Sequence, residues 1–189
     1  SLAARAAATP AFPDVPGLVQ ADLPPRIVAF LLDLVVIGLI GAVAAGTVGE
    51  ALGGVLRHSI TAANEVDPIA FLVVLVLQLA GSAAYAIVGW SRLERTVGLA
   101  LLGLRVVDEL EAGIVTTGEA ARRWVIVGIP ATLVTVVAYL PVLIGWVALV
   151  GGGLILGLLV VTILRDPLGR GYHDRISGTT VVKASRRAG

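Results

Sequence analysis

From Trp124 to Leu164 the chain runs through 41 residues without a single Asp, Glu, Lys or Arg. A bilayer core about 30 Å thick is crossed by roughly 20 helical residues, so this run is about twice as long as one crossing needs. The simplest solution is a helical hairpin with its turn near Tyr139-Leu140-Pro141. That predicts a third span of about 124–140, kinked by Pro130, and a fourth of about 142–163. With 57% hydrophobic and 14% charged residues and a mean hydropathy of +0.96, the whole chain is far more apolar than a soluble domain. Its 189 residues leave room for one compact helical bundle and no large soluble domain.

Two further runs fit the same reading. Ile27 to Gly49 carries one charge, Asp33, and would reach roughly 34 Å as a helix. Pro24-Pro25 suits the first helical turn, where a missing N–H has no intrahelical partner, so the first span is placed at about 26–48. The second is placed at about 69–91, with Gln78 as its one strongly polar side chain, available to bond a neighbouring helix. Small residues (Gly38, Gly41, Ala42, Ala45 and Gly46 in the first run, Ala148, Gly152, Gly153 and Gly157 in the last) would let helices approach closely.

The 14 Lys and Arg residues set the orientation. Two fall before or at the first span, one in the first loop, five in the second loop, none between spans three and four, and six in the tail. Four spans put the second loop, the tail and the N-terminus on one face, and the positive-inside rule makes that face cytoplasmic. Three spans would put the two basic clusters on opposite faces. Lys and Arg flank apolar runs rather than forming a phosphate-binding face, so no nucleic-acid partner is expected. Cysteine is absent, which removes disulfides, thiolate metal sites and a cysteine nucleophile. No cofactor and no metal are expected. The chain begins at Ser1 and holds no methionine, so residues preceding Ser1 are expected, and no signal-peptide pattern is visible in those present.

Outside the spans the pattern changes. Residues 1–23 are rich in Ala and Pro and read as an extended arm; residues 50–67 form an acidic-leaning loop; residues 184–189 are a basic tail. Between Arg92 and Arg123, Leu104–Asp108 is rich in β-branched residues and Glu111-Ala112-Gly113 supplies a turn before Ile114-Val115-Thr116, which predicts a short β-hairpin. Thr179–Val182 is expected to add a strand to Arg105–Asp108, and Thr117 to cap the helix leading into the third span. The fold class is therefore all-α transmembrane: a four-helix membrane bundle with a small cytoplasmic cap, from residues 92–123 and 165–185, containing short β-strands.

Three segments in order resemble the RDD family of bacterial membrane proteins. The first holds Arg26 at the start of the first helix and Asp33 within it. The second reads Glu94-Arg95-Thr96-Val97-Gly98, then Gly103-Leu104-Arg105-Val106-Val107-Asp108, and the third contains His173-Asp174-Arg175. Together they span most of residues 24–183 and identify the motif positions as Arg26, Asp33 and Asp174. The resemblance implies a multi-pass protein of the bacterial inner membrane and a proposed link to transport, including sodium/proton exchange. One position departs: where the family pattern has a lysine after the Thr-x-Gly glycine, this chain has Leu99.

Each singled-out residue admits two readings. Arg26 is either an interfacial anchor reaching lipid phosphates or the counter-charge of Asp174. Asp33 is either a proton or cation site or a structural clamp. Seven residues separate Arg26 from Asp33, a rise of about 10 Å, so a third group, Arg105 or the tail, is expected between them. Arg105, Asp108, His173 and Arg175 are the candidates for salt bridges that dock the cap. Besides the bilayer, the expected partners are other membrane subunits or further copies of the chain. The favoured function is an accessory or scaffold subunit of a cell-envelope complex, the alternative a small cation/proton exchanger using Asp33; enzymatic activity is not expected.

Overall fold

The computed structural model describes residues 18–51, 68–136, 142–166 and 169–184. Residues 1–17 of the arm, most of the first loop, the turn at Tyr139-Leu140-Pro141 and the last tail residues lie outside that range. Among the described residues three helices are long and apolar enough to cross a membrane: α1 (Leu23–Ala51), α2 (Pro68–Arg92) and α6 (Val142–Arg165). Their exposure pattern is that of helices built for lipid. On α1, Leu31, Val35, Leu39 and Val43 recur every four residues and are all more than half exposed, while Ala29, Ile37 and Ala45 are buried against neighbouring helices.

A shorter helical run lies between α2 and α6. It comprises α4 (Thr117–Arg123), a π-helical turn (Trp124–Gly128) and α5 (Ile129–Val136), continuous over about 30 Å. The N-cap is Thr116 rather than the expected Thr117. Its hydroxyl accepts from the Glu119 N–H while the Glu119 carboxylate accepts from the Thr116 N–H, a capping box that starts the helix one residue earlier. Just before Pro130, where a kink is expected, the run carries the π turn, in which the Ile129 N–H reaches back five residues to the Trp124 carbonyl.

The cap is a three-stranded antiparallel sheet, β1 (Leu18–Gln20), β3 (Thr179–Ala184) and β2 (Leu104–Asp108), with β3 in the centre. β2 pairs with β3 in the register Val106↔Val181, and Val106, Val181 and Val182 are all buried. The hairpin expected from residues 104–116 does not form. Asp108 accepts from the Leu110 and Glu111 amides and closes a tight turn, after which Ile114–Thr116 leads directly into the α4 cap. The pairing partner comes instead from the far end of the chain. The end of the N-terminal arm departs from its reading too, since Leu18–Gln20 is a strand on the sheet edge, with Leu18 buried and Ala21 N–H bonded to the Val181 carbonyl.

Two short helices join the sheet to the long ones. α3 (Val97–Leu101) packs on α1, and α7 (Tyr172–Ser177) packs on α4. Gly98 decides how close α3 can come: a Cβ there would overlap the Ala29 carbonyl and stand 2.9 Å from Asp33 Oδ1. Gly178 ends α7 with φ of 69°, the left-handed conformation that turns the chain into β3.

Candidate functional site

The first buried charge cluster joins four elements around Asp174, which has no solvent exposure. Asp174 lies in the first turn of α7, where Oδ2 accepts from the Gly171 N–H at 3.0 Å and from Arg26 Nη1, at the start of α1, at 3.2 Å. Oδ1 accepts from Arg123, the last residue of α4. Arg26 also donates to the Gly169 carbonyl at 3.2 Å and the Val181 carbonyl at 3.1 Å. Arg123 donates to Thr179 Oγ1 at 2.7 Å, and its guanidinium lies 5.3 Å from the centre of the Trp90 ring. One carboxylate thus holds two guanidinium groups, both under a tenth exposed. Burial alone would raise the Asp174 pKa; Arg123 foremost, with His173, Arg26 and the Gly171 amide, brings it down to about 2. Asp174 stays ionised across the physiological range.

His173 is beside this cluster but adds no charge. Its Nε2 lies 3.4 Å from Asp174 Oδ1, yet burial, reinforced by Arg123 and Arg26 against the pull of Asp174, lowers its pKa to about 4. A neutral imidazole makes no salt bridge at pH 7, which corrects the expectation for His173.

The second cluster forms around Asp33, about two helical turns beyond Arg26 on α1. Oδ1 accepts from the Tyr85 hydroxyl of α2 at 2.5 Å and from the Gly98 N–H at 2.8 Å, and Oδ2 accepts from the Thr96 hydroxyl at 2.6 Å. Tyr85 is held in turn by the Val97 N–H at 3.0 Å. Among the described residues no arginine bonds Asp33, so the third group expected between Arg26 and Asp33 is not Arg105. Arg105 pairs instead with Glu94 at 3.1 Å on the half-exposed rim, where Glu94 holds a φ of 59° and its carbonyl accepts from Val106.

A third, uncharged network ties α2 to the α4–α5 run. Gln78 Nε2 donates to Thr135 at 2.7 Å, Thr132 donates to Ser82 at 3.0 Å, and Trp124 Nε1 reaches Ser82 at 3.4 Å. Gly41 makes room for Gln78, since a Cβ there would stand 2.6 Å from its Cδ. Gly152 plays the same part for α5 and α6, where a Cβ would come within 2.9 Å of Val134 and 3.0 Å of the Pro130 carbonyl.

Of the other cap candidates, Asp108 bonds backbone amides and Arg175 is exposed; neither makes an ion pair among the described residues. The cap's outer ion pairs use Arg170, bound to Glu109 and, through Nε, to Asp166 at 3.3 Å. Sequence reasoning singled out neither Arg123 nor the Arg170 group.

The family model for RDD matches residues 20–178, nearly the whole described fold. The chain belongs to the RDD family. Neither a curated protein nor a solved structure matches it. In this RDD protein the motif positions Arg26 and Asp174 meet in the first cluster, while Asp33 stands apart in the second, each fixing a different part of the cap to the helices. Leu99, where the family pattern has lysine, is buried and packs in the apolar core with Trp90 and Leu104. Beside both clusters a cleft of about 300 Å³ lies between α1 and α6, bordered by Arg26, Asp33, Leu99, Arg123 and His173.

Proposed function

We propose that this RDD protein is a non-enzymatic integral protein of the bacterial inner membrane that crosses it four times, the α4–α5 run being the third crossing, with both ends and the cap on the cytoplasmic side. Its role is that of an accessory or scaffold subunit of a larger cell-envelope complex. One observation carries this reading: the motif charges Arg26, Asp33 and Asp174 are all engaged in bonds that fasten the cap to the helices. A cap held at two charged clusters presents a fixed surface to other proteins, and the outer faces of α1, α2 and α6 are apolar. The concentration of Lys and Arg in the second loop and tail supports the orientation. Purification from native membranes in mild detergent tests the role: a membrane subunit recovered in fixed stoichiometry is expected, and recovery of the chain alone, at native expression, would overturn it.

A second reading rests on one feature, that Asp33 borders the cleft and is reachable from it. It is a cation/proton exchanger with Asp33 as the coupling carboxylate. Sodium-driven proton flux in proteoliposomes, abolished in Asp33→Asn, would establish that reading in place of the first.

A further inference from the structure

The cleft between α1 and α6 is amphipathic in a definite direction. Ile27, Phe30 and Leu31 form one wall and Leu156, Val160 and Ile163 the other, with Arg26, Arg123 and His173 at one end. From Leu23 to Asp33 at about 1.5 Å per residue its length is about 15 Å, half of a roughly 30 Å bilayer core. It is therefore one leaflet deep, and its polar end lies at the cap.

Arg26, Trp90 and His173 line the cleft, and each carries a buried polar atom with no hydrogen-bond partner among the described residues: Arg26 Nε, Trp90 Nε1 and His173 Nδ1. The first two carry N–H groups that can only donate, so they call for an acceptor. Arg26 and Arg123 share the buried carboxylate of Asp174, and Asp22 also acts on Arg26, so the charges at that end balance and it is the unpartnered N–H donors that favour an acceptor such as a phosphate. Asp33 marks the deep end, about 10 Å of helix from Arg26, with its oxygens already bonded to Tyr85, Thr96 and Gly98.

We propose that this cleft binds one anionic phospholipid of the cytoplasmic leaflet, an acyl chain lying between α1 and α6 and the headgroup phosphate held at the Arg26–Trp90 end. This rests on the membrane orientation proposed above but not on the subunit role. A bound lipid would complete the packing of α6, which otherwise leans mainly on α5.

The test is lipid titration of the delipidated full chain in detergent, read by native mass spectrometry, with phosphatidylglycerol and phosphatidylcholine of identical acyl chains. One bound phosphatidylglycerol is expected, held about fivefold more tightly than phosphatidylcholine, the preference that about 1 kcal/mol for one basic side chain beside the headgroup supplies. Gly157→Phe adds a large side chain at a cleft-lining position whose added Cβ meets nothing within 4 Å. It is expected to weaken phosphatidylglycerol at least tenfold with unchanged circular dichroism. Trp90→Phe keeps the ring over Arg123 and removes the N–H, and is expected to reduce the preference for phosphatidylglycerol. Equal binding of the two lipids, unaltered binding in Gly157→Phe, or equal competition by inorganic phosphate would overturn the proposal. So would a chain dimer that Gly157→Phe dissociates without changing lipid binding, since the cleft would then belong to a second copy. Recovery or loss of a partner subunit leaves all of these readouts unmoved, so the two proposals fail separately.

Discussion

Neutralising Asp174 tests the first charge cluster most severely. Asp174→Asn keeps the shape of the side chain but removes the charge that two buried guanidinium groups share. The depression of its pKa from 3.8 to about 2 puts the preference of the folded protein for the ionised form at about 2 kcal/mol, taking about 1.4 kcal/mol for each factor of ten. Leaving Arg26 and Arg123 without a counter-charge raises the loss toward the roughly 3–5 kcal/mol typical of a broken buried ion pair. At about 2–4 °C per kcal/mol for a chain of this size, the melting temperature should fall by roughly 6–20 °C. Intrinsic fluorescence in detergent follows this directly, because Trp90 stacks on Arg123 and Trp124 lies one residue further. Asp108→Asn is the matched control: the same charge change at a side chain that only bonds turn amides, expected to cost under about 0.5 kcal/mol. A fall in Asp174→Asn no larger than in Asp108→Asn would mean that the buried ion pairs of Asp174 do not stabilise the fold.

Other outcomes follow from the same geometry. Gly98→Ala should destabilise by about 2–4 kcal/mol in the same assay, because its Cβ overlaps the Ala29 carbonyl and α3 must move off α1. His173 is held neutral in the fold, with a pKa lowered from 6.5 to about 4, so unfolding takes up a proton below pH 6.5. Stability is therefore full above pH 6.5 and falls as pH drops toward 4, by about 2 kcal/mol at pH 5; Asp174 extends the loss below pH 4, and denaturant titrations from pH 4 to 7.5 read the slope. Val106→Cys with Val181→Cys in this cysteine-free chain should crosslink on oxidation, since the two positions are paired across β2 and β3. A double-mutant cycle of Gln78→Ala and Thr135→Ala should give a coupling of about 0.6 kcal/mol, the average for hydrogen bonds between membrane helices.

What the sequence made legible was what stood out against apolar surroundings. Arg26 and Asp33 are single charges in or beside a long apolar run, so burial alone forced the question of their partners. The three long helices were visible as apolar stretches of bilayer length with at most one internal charge, and the pairing of Thr179–Val182 with Arg105–Asp108 as two β-branched segments outside them. Arg123 was hidden because it stands among other charges just before the uncharged run, where a loop cation and a buried one look alike. The partners of Asp33 were hidden for the opposite reason: Tyr85, Thr96 and a glycine amide are neutral, and only three-dimensional packing reveals three donors converging on one carboxylate. The false hairpin came from the local turn signal at Glu111-Ala112-Gly113, and β1 was hidden in a Pro- and Ala-rich arm; in the fold β3 satisfies the backbone groups of both β1 and β2.

The central claim is that the motif carboxylates fasten the cap to the membrane helices, and amide hydrogen exchange across residues 94–102 in wild type and Asp33→Asn tests it most directly. The Gly98 amide bonds Asp33 itself and the Val97 amide bonds Tyr85, so both report the clamp. Loss of a charge-assisted bond of about 1.5–3 kcal/mol predicts exchange about 10- to 100-fold faster in Asp33→Asn, with the β2–β3 amides slow as before. Unchanged exchange at residues 94–102 together with abolished cation flux would contradict the claim and make Asp33 an ion site.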